Sequence, residues 1–229
     1  MTIPDIHSYV FRNSMPSSIP SETVVLIDTH NFTTTAIEAL SNGAEYIVPL
    51  NSLKGGISSD IDIIAGDESS DLRNHPADMS EDIVRNKVVG INSWNGTKAT
   101  HAVRSLDGGN TIYATSLTNA PSVALELKKE KDITFILSGS NGNIPPEDVI
   151  TMQCVYNMIS ADYSDIMGIC ESYEQFYRLL IKEIYGHFVS ISDDGTTPFG
   201  NPENHAHEFA SRVGEKTIIP TMNSENRFV

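Results

Sequence analysis

Long apolar runs are missing from this chain. Nowhere do about eighteen apolar residues follow one another, so no segment reads as a membrane-spanning helix. The opening stretch MTIPDIHSYVFRNSMPSSIPSE has no basic region leading into an apolar one and does not read as a secretory signal. Cysteine is scarce. Cys154 and Cys170 both fall in apolar, helix-like contexts, which predicts buried reduced thiols rather than a disulfide or a thiolate metal site. Positive charge is scarce too. Fifteen Lys plus Arg stand against 30 Asp plus Glu, and a net charge of −15 repels nucleic acid and anionic membrane. The first strand is not followed by G-x-G-x-x-G, which argues against a nucleotide-dependent oxidoreductase. These absences predict a cytoplasmic protein with neither nucleic acid nor membrane as a partner. They leave a homo-oligomer open, and they leave room for a small phosphorylated ligand, because a divalent cation and backbone N–H groups can invert the field locally.

What is present is an ordinary globular composition, 39% hydrophobic and 20% charged over 229 residues, enough for a sizeable core. Apolar strand-like runs occur at 23–27, 44–50, 87–91, 110–117 and 132–138, with helical patterns at 33–41, 97–105 and 119–130 between them. That alternation predicts an α/β fold, layered α/β/α with a mixed or mostly parallel sheet, formed by residues 1–229 as a single domain. Asn42-Gly43 closes the first helix. Pro145-Pro146-Glu147-Asp148 opens a later one, with Val149, Met152, Val155, Tyr156 and Ile159 as its apolar stripe. A second long helix places Tyr173, Phe176, Tyr177, Leu180, Ile181 and Ile184 on one face and ends at Gly186. Residues 51–80 and 186–204, rich in Gly, Ser, Asp, Asn and Pro, read as long loops. Sliding the chain by 64 places sets VVLIDTHNFTTT beside VVGINSWNGTKA, aligning Asn31 with Asn95 and Thr33 with Thr97. A strand–turn–helix unit is therefore predicted twice, within 24–50 and 88–117.

In open α/β sheets ligands sit beyond the carboxyl ends of the strands. Three such ends are polar: Asp28 to Thr35, Asn92 to Thr97, and SGSNGN at 138–143. Helix N-termini offer unpaired N–H groups, Thr and Ser add hydroxyls, and Gly96, Gly139 and Gly142 admit close approach. Each loop alone reads as helix capping. The three together predict an anion site, with Thr33, Thr97 and Ser140 as hydroxyl donors and Gly96 at one of its turns. Asp67, Glu68, Asp71 and Asp78 crowd a single loop, and with Asp28 they offer the hard oxygen ligands Mg²⁺ takes beside a phosphate. Other signals carry less. His205 and His207 lack an evident third ligand, SGSNG lacks the flanking pattern of a nucleophile elbow, and Trp94 serves packing as readily as a pocket wall.

The motifs DTHNFTTT (28–35), NGA (42–44), GDESS (66–70), DLRNHP (71–76), NSWNGTKA (92–99), SGSNG (138–142) and EDV (147–149) run in an order that resembles the 2-phosphosulfolactate phosphatases. The resemblance covers residues 24–160 and implies a Mg²⁺-dependent hydrolase of a small phosphorylated acid, in the route to coenzyme M and sulfolactate. By position it carries over Asp28, Thr33, Thr34, Asp67, Asp71, Asn74, Asn95, Gly96, Thr97 and Glu147, with Lys98 retaining a cation and Arg73 and His75 adding new ones nearby. It implies Asp28, Asp67 and Glu68 as metal ligands, and Asp28 or Asp71 as nucleophile or base. Two departures remove guanidinium groups suited to anions: Asn31 stands where the family pattern has arginine, and Glu68-Ser69 where it has Arg-Gly. They motivate a rival expectation, a binding or scaffold protein that kept the fold without turnover.

Overall fold

The computed structural model describes residues 3–52, 59–67, 69–106, 110–140, 143–189 and 206–229, the side chains of 182–189 and 206 excepted. Among them the strands form two four-stranded sheets, both fully parallel. The first sheet has the order β1-β8-β2-β7, from β1 (Asp5–Val10), β8 (Asp132–Leu137), β2 (Thr23–Ile27) and β7 (Thr111–Thr115). The second has the order β3-β6-β4-β5, from β3 (Tyr46–Leu50), β6 (Val88–Asn92), β4 (Ile63–Gly66) and β5 (Leu72–Arg73). The α/β class follows from the alternation of these strands with helices, and the strands divide between two sheets.

Side-chain alternation along the strands explains the layering. Val24, Leu26, Ile112, Ala114 and Ile136 of the first sheet pack in one cluster with Ile47, Ile63, Ala65, Val89 and Ile91 of the second. Between them lie α1 (Phe32–Ser41) and α3 (Gly96–Leu106), which contribute Phe32, Ala36, Ala39, Ala99 and Val103. Sandwiched in this way, α1 buries nine of its ten residues, Thr33, Thr34 and Thr35 included. On the opposite face of the first sheet, Val25, Ile27, Ile133, Phe135 and Leu137 pack against α4 (Ala120–Leu127), α5 (Pro146–Ser160) and α6 (Ile166–Val189). β2–α1–β3 runs from the first sheet to the second, and β6–α3–β7 runs back from the second to the first.

Several expectations need adjusting. The buried stripe of α5 is Ile150, Thr151, Cys154, Val155, Met158 and Ile159, while Val149 and Tyr156 are exposed by more than a third. Both sit at the margin of the stripe, where composition cannot separate them from its centre. In α6, Tyr177 is fully buried but Phe176 is half-exposed, the helix continues to Val189, and the side chain of Ile184 lies outside the described residues. Strands β1, β4 and β5 lie where no strand was expected, β4 and β5 inside the polar 51–80 stretch. Cys154 and Cys170 are buried free thiols, and burial pushes both upward. No helix among the described residues is long and apolar enough to cross a membrane. The C-terminal tail packs: Thr221 bridges to Tyr113 on β7, and fully buried Phe228 bridges to Ile47 on β3, so the last residues join an edge of each sheet.

Candidate active site

A cleft of about 650 Å³ opens where carboxyl ends of strands from both sheets meet. Asp28, His30 and Asn31 follow β2, and Asn51 and Ser52 follow β3. Gly66 and Asp67 come from the end of β4, with Arg73, Asn74 and His75 from the end of β5. Asn92, Ser93, Trp94, Asn95 and Lys98 come from the turn between β6 and α3. The parallel arrangement is what gathers these loops at one end.

Asp28 is a buried, strongly perturbed carboxylate of the cleft. It is 6% exposed, and burial, with the nearby charge of Glu147, raises its pKa from 3.8 to about 7. Hydrogen bonds from the Ser93 hydroxyl (3.4 Å) and from the Gly96 and Phe32 N–H groups act the other way. Gly96 and Phe32 are the first residues of α3 and α1, so the N-termini of both central helices point at one carboxylate. Gly96 is required by this approach, since a Cβ there would fall on Asp28 Oδ2 and the Phe32 side chain. Behind Asp28 lie two more buried acids in the first turn of α5. Asp148 accepts the Thr29 N–H at 2.9 Å and the Gly139 N–H at 3.4 Å; burial and Asp28 raise it well above the ordinary range. Burial raises Glu147 as well, and its Oε2 has no hydrogen-bond partner among the described residues.

The threonines do different work from that expected. Thr33 Oγ1 donates to the Asp28 carbonyl at 2.8 Å and accepts its N–H at 3.2 Å, and Thr34 Oγ1 donates to the Thr29 carbonyl at 2.6 Å. Thr97 repeats the arrangement on Ser93, at 2.8 and 3.3 Å. All three are buried, with their hydroxyls spent on backbone, so they shape the turns that present Asp28 and Ser93 instead of facing the cleft. Asp71 is not among the cleft-lining residues; its carboxylate accepts the Ile64 N–H at 2.9 Å. Ser140 exchanges backbone hydrogen bonds with Asn143 and also lies off the cleft lining, while Asn141 and Gly142 of that loop are outside the described residues. Glu68 is outside them too. Asp28, Asp67, Asn74, Asn95 and Lys98 share the cleft, with Gly96 directly beneath it through Asp28.

Cleft cations are few and engaged. Arg73 grips Asp78 through Nε at 2.9 Å and Nη2 at 2.6 Å, and Lys98 Nζ sits 4.8 Å from the centre of the Trp94 ring, itself 78% exposed. Two histidines line the cleft, His75, expected as a cation nearby, and His30, which sequence reasoning missed. His30 is driven well below its usual pKa by burial and then by His207 and His75, and His75 Nδ1 accepts the Ala77 N–H at 3.1 Å. The place of His30 directly after a strand end is the signal that could have found it.

Among the described residues no group of three or more His, Cys, Asp or Glu side chains gathers in a metal-binding arrangement. Mg²⁺ asks for less, one or two carboxylates beside substrate oxygens and water. The cleft supplies Asp28 and Asp67, the latter held ionised by the hydroxyl and N–H of Ser69. Asn31, Asn74 and Asn95 add buried Oδ1 atoms that find no hydrogen-bond partner among the described residues. Orphaned hard oxygens on residues that line the same cleft as two carboxylates fit a small divalent cation.

Fold and cleft together define an α/β protein with a polar cleft at the carboxyl ends of parallel strands. Comparison with known proteins makes the class specific. The family model for 2-phosphosulpholactate phosphatase matches residues 10–186, and the chain belongs to that family of phosphoric monoester hydrolases. It is 27% identical over 180 residues to a probable 2-phosphosulfolactate phosphatase of Thermotoga petrophila, covering 75% of this chain and 78% of the relative. It is 29% identical over 164 residues to one of Clostridium novyi, covering 65% and 68%.

Proposed function

We propose that this protein is a cytoplasmic Mg²⁺-dependent phosphatase that hydrolyses a small phosphorylated acid such as 2-phosphosulfolactate, in the sulfolactate and coenzyme M route. The observation that carries the reading is Asp28: a buried carboxylate at a strand end, met by two helix N-termini, in a cleft with Asp67 and three orphaned amide oxygens. The whole chain is proposed to act as one unit, because a single apolar layer is shared by both sheets.

Asp28 and Asp67 would hold the ion, helped by the Oδ1 atoms of Asn31, Asn74 and Asn95. Such an ion supplies a Lewis acid that neutralises charge on phosphoryl oxygens. Asp28 would serve as nucleophile or base, and the donors Ser93, Gly96 and Phe32 that fix its orientation support that role. Lys98 offers the substrate's acid groups a cation without an ion-pair partner among the described residues, and the exposed ring of Trp94 walls that side. Asp71, Thr33, Thr34, Thr97 and Ser140 have no direct part in this reading.

Release of inorganic phosphate from 2-phosphosulfolactate and a panel of small phosphoesters, with Mg²⁺ and with chelator, tests it. Metal-dependent turnover of a phosphorylated acid is expected. If every ester survives while the protein still binds orthophosphate, the fold has been kept for binding alone.

A further inference from the structure

His30 combines two features. It lines the cleft, and its Nε2 is shielded from solvent with no hydrogen-bond partner among the described residues. A buried donor left unsatisfied costs stability, and a native structure that keeps one commonly reserves it for a ligand. The ring's orientation is also fixed from behind. His207, on the short C-terminal helix α7 (Ala206–Ala210), stacks on it with centroids 4.0 Å apart and planes 11° from parallel. His207 Nδ1 is in turn hydrogen-bonded to the hydroxyl of Tyr177 at 3.0 Å, and Tyr177 is fully buried on α6. Two residues further on, Phe209 meets the cleft-lining His75 edge-on at 6.5 Å. The Arg212 guanidinium lies over the Phe209 ring at 4.4 Å. The C-terminal segment thus braces two imidazoles of the cleft.

We propose that His30 is a substrate-contacting residue, donating its imidazole N–H to an anionic oxygen of the bound phosphoester, and that α7 positions it through His207. The proposal rests on the phosphatase reading for its ligand. An imidazole N–H suits this role as a directional donor, in a cleft whose Arg73 is already paired. His207 itself makes no substrate contact. Its stacked ring and its bond to Tyr177 hold the His30 plane, which makes it a positioning residue.

Orthophosphate binding in the presence of Mg²⁺, measured by calorimetry on the full chain, tests the contact. His30→Ala is expected to weaken binding by about tenfold to a hundredfold, the worth of a hydrogen bond to a charged group, and His30→Gln, which keeps a neutral donor, to recover most of it. His207→Ala is expected to raise KM for the phosphoester by about threefold or more with a smaller change in kcat, and His207→Phe, which keeps a stacked ring, to restore KM. Orthophosphate bound by folded His30→Ala as tightly as by wild type overturns the contact; an unchanged KM in His207→Ala overturns the positioning role. Should His30→Ala fail to fold, the ¹⁵N signal of His30 Nε2 in labelled wild type must move on adding orthophosphate, and an unmoved signal overturns the proposal. A wild type that hydrolyses no phosphoester, with phosphate binding still lost in His30→Ala, defeats the phosphatase reading and leaves the contact standing.

Discussion

Asp28→Asn exposes the energetic cost of the site. The carboxyl titrates near 7 in the folded protein against 3.8 in the unfolded chain. Between those values the native state holds a proton that the unfolded chain has released, so stability falls as pH rises through the window and levels off above it. From about pH 4.5 to about pH 8 the Asp28 share of that loss is about 3 kcal/mol, from roughly 2.5 pH units at 1.36 kcal/mol each. Asparagine does not titrate, and without the neighbouring charge Asp148 has less reason to be raised. Urea unfolding of both proteins in metal-free buffer at the two pH values isolates the effect, because hydrogen-bond geometry lost with the second carboxylate oxygen cancels in the pH difference. The variant is expected to lose less stability than wild type over this range, by about 3 kcal/mol. Mg²⁺ added at the higher pH should restore stability to wild type and not to the variant. Parallel pH dependences, within about 1 kcal/mol, would refute the assignment of a buried, proton-binding Asp28.

Gly96→Ala, which would press a Cβ onto Asp28 Oδ2 and Phe32, is expected to cost about 1–3 kcal/mol in urea unfolding and to abolish measurable phosphate release. Phe228→Ala removes a fully buried ring that ties the tail to β3 and should cost about 3–5 kcal/mol, read as a lower urea midpoint with an unchanged slope. The two loop acids should separate cleanly in steady-state kinetics. Asp67→Asn raises the Mg²⁺ concentration for half-maximal rate by about tenfold, while Asp71→Asn, whose carboxylate serves only the Ile64 N–H among the contacts described, leaves kcat/KM within about threefold.

The five strands and the helices between them were legible because each carries its own signal: TVVLI is uniformly apolar after its threonine, and all five residues are buried in the middle of a sheet. The second sheet was only half legible, since β4 and β5 are four and two residues long and set among acids and asparagines that serve the cleft. Their polar flanks look like loop because the residues around them line a cleft and not a core. At the site, Asp28 was legible from an acid closing an apolar run before a helix. The threonines beside it were misread because a hydroxyl that greets an anion and one that ties a turn look alike in sequence; only the bonds from Thr33 to Asp28 and from Thr97 to Ser93 separate them. His30 and His207 lie far apart in the chain, and their stacking depends on how the C-terminal segment packs back on the cleft.

The proposed chemistry requires that the carboxylates following β2 and β4 meet a phosphoryl group in one cleft. Crystals soaked with Mn²⁺ and orthophosphate put it to the most direct test, because the metal is located by its anomalous signal. Mn²⁺ is expected bonded to Asp28 and Asp67, with tetrahedral density beside it between Asn95 and Lys98. Metal and phosphate bound on separate surfaces, with Asp28 untouched, would contradict it.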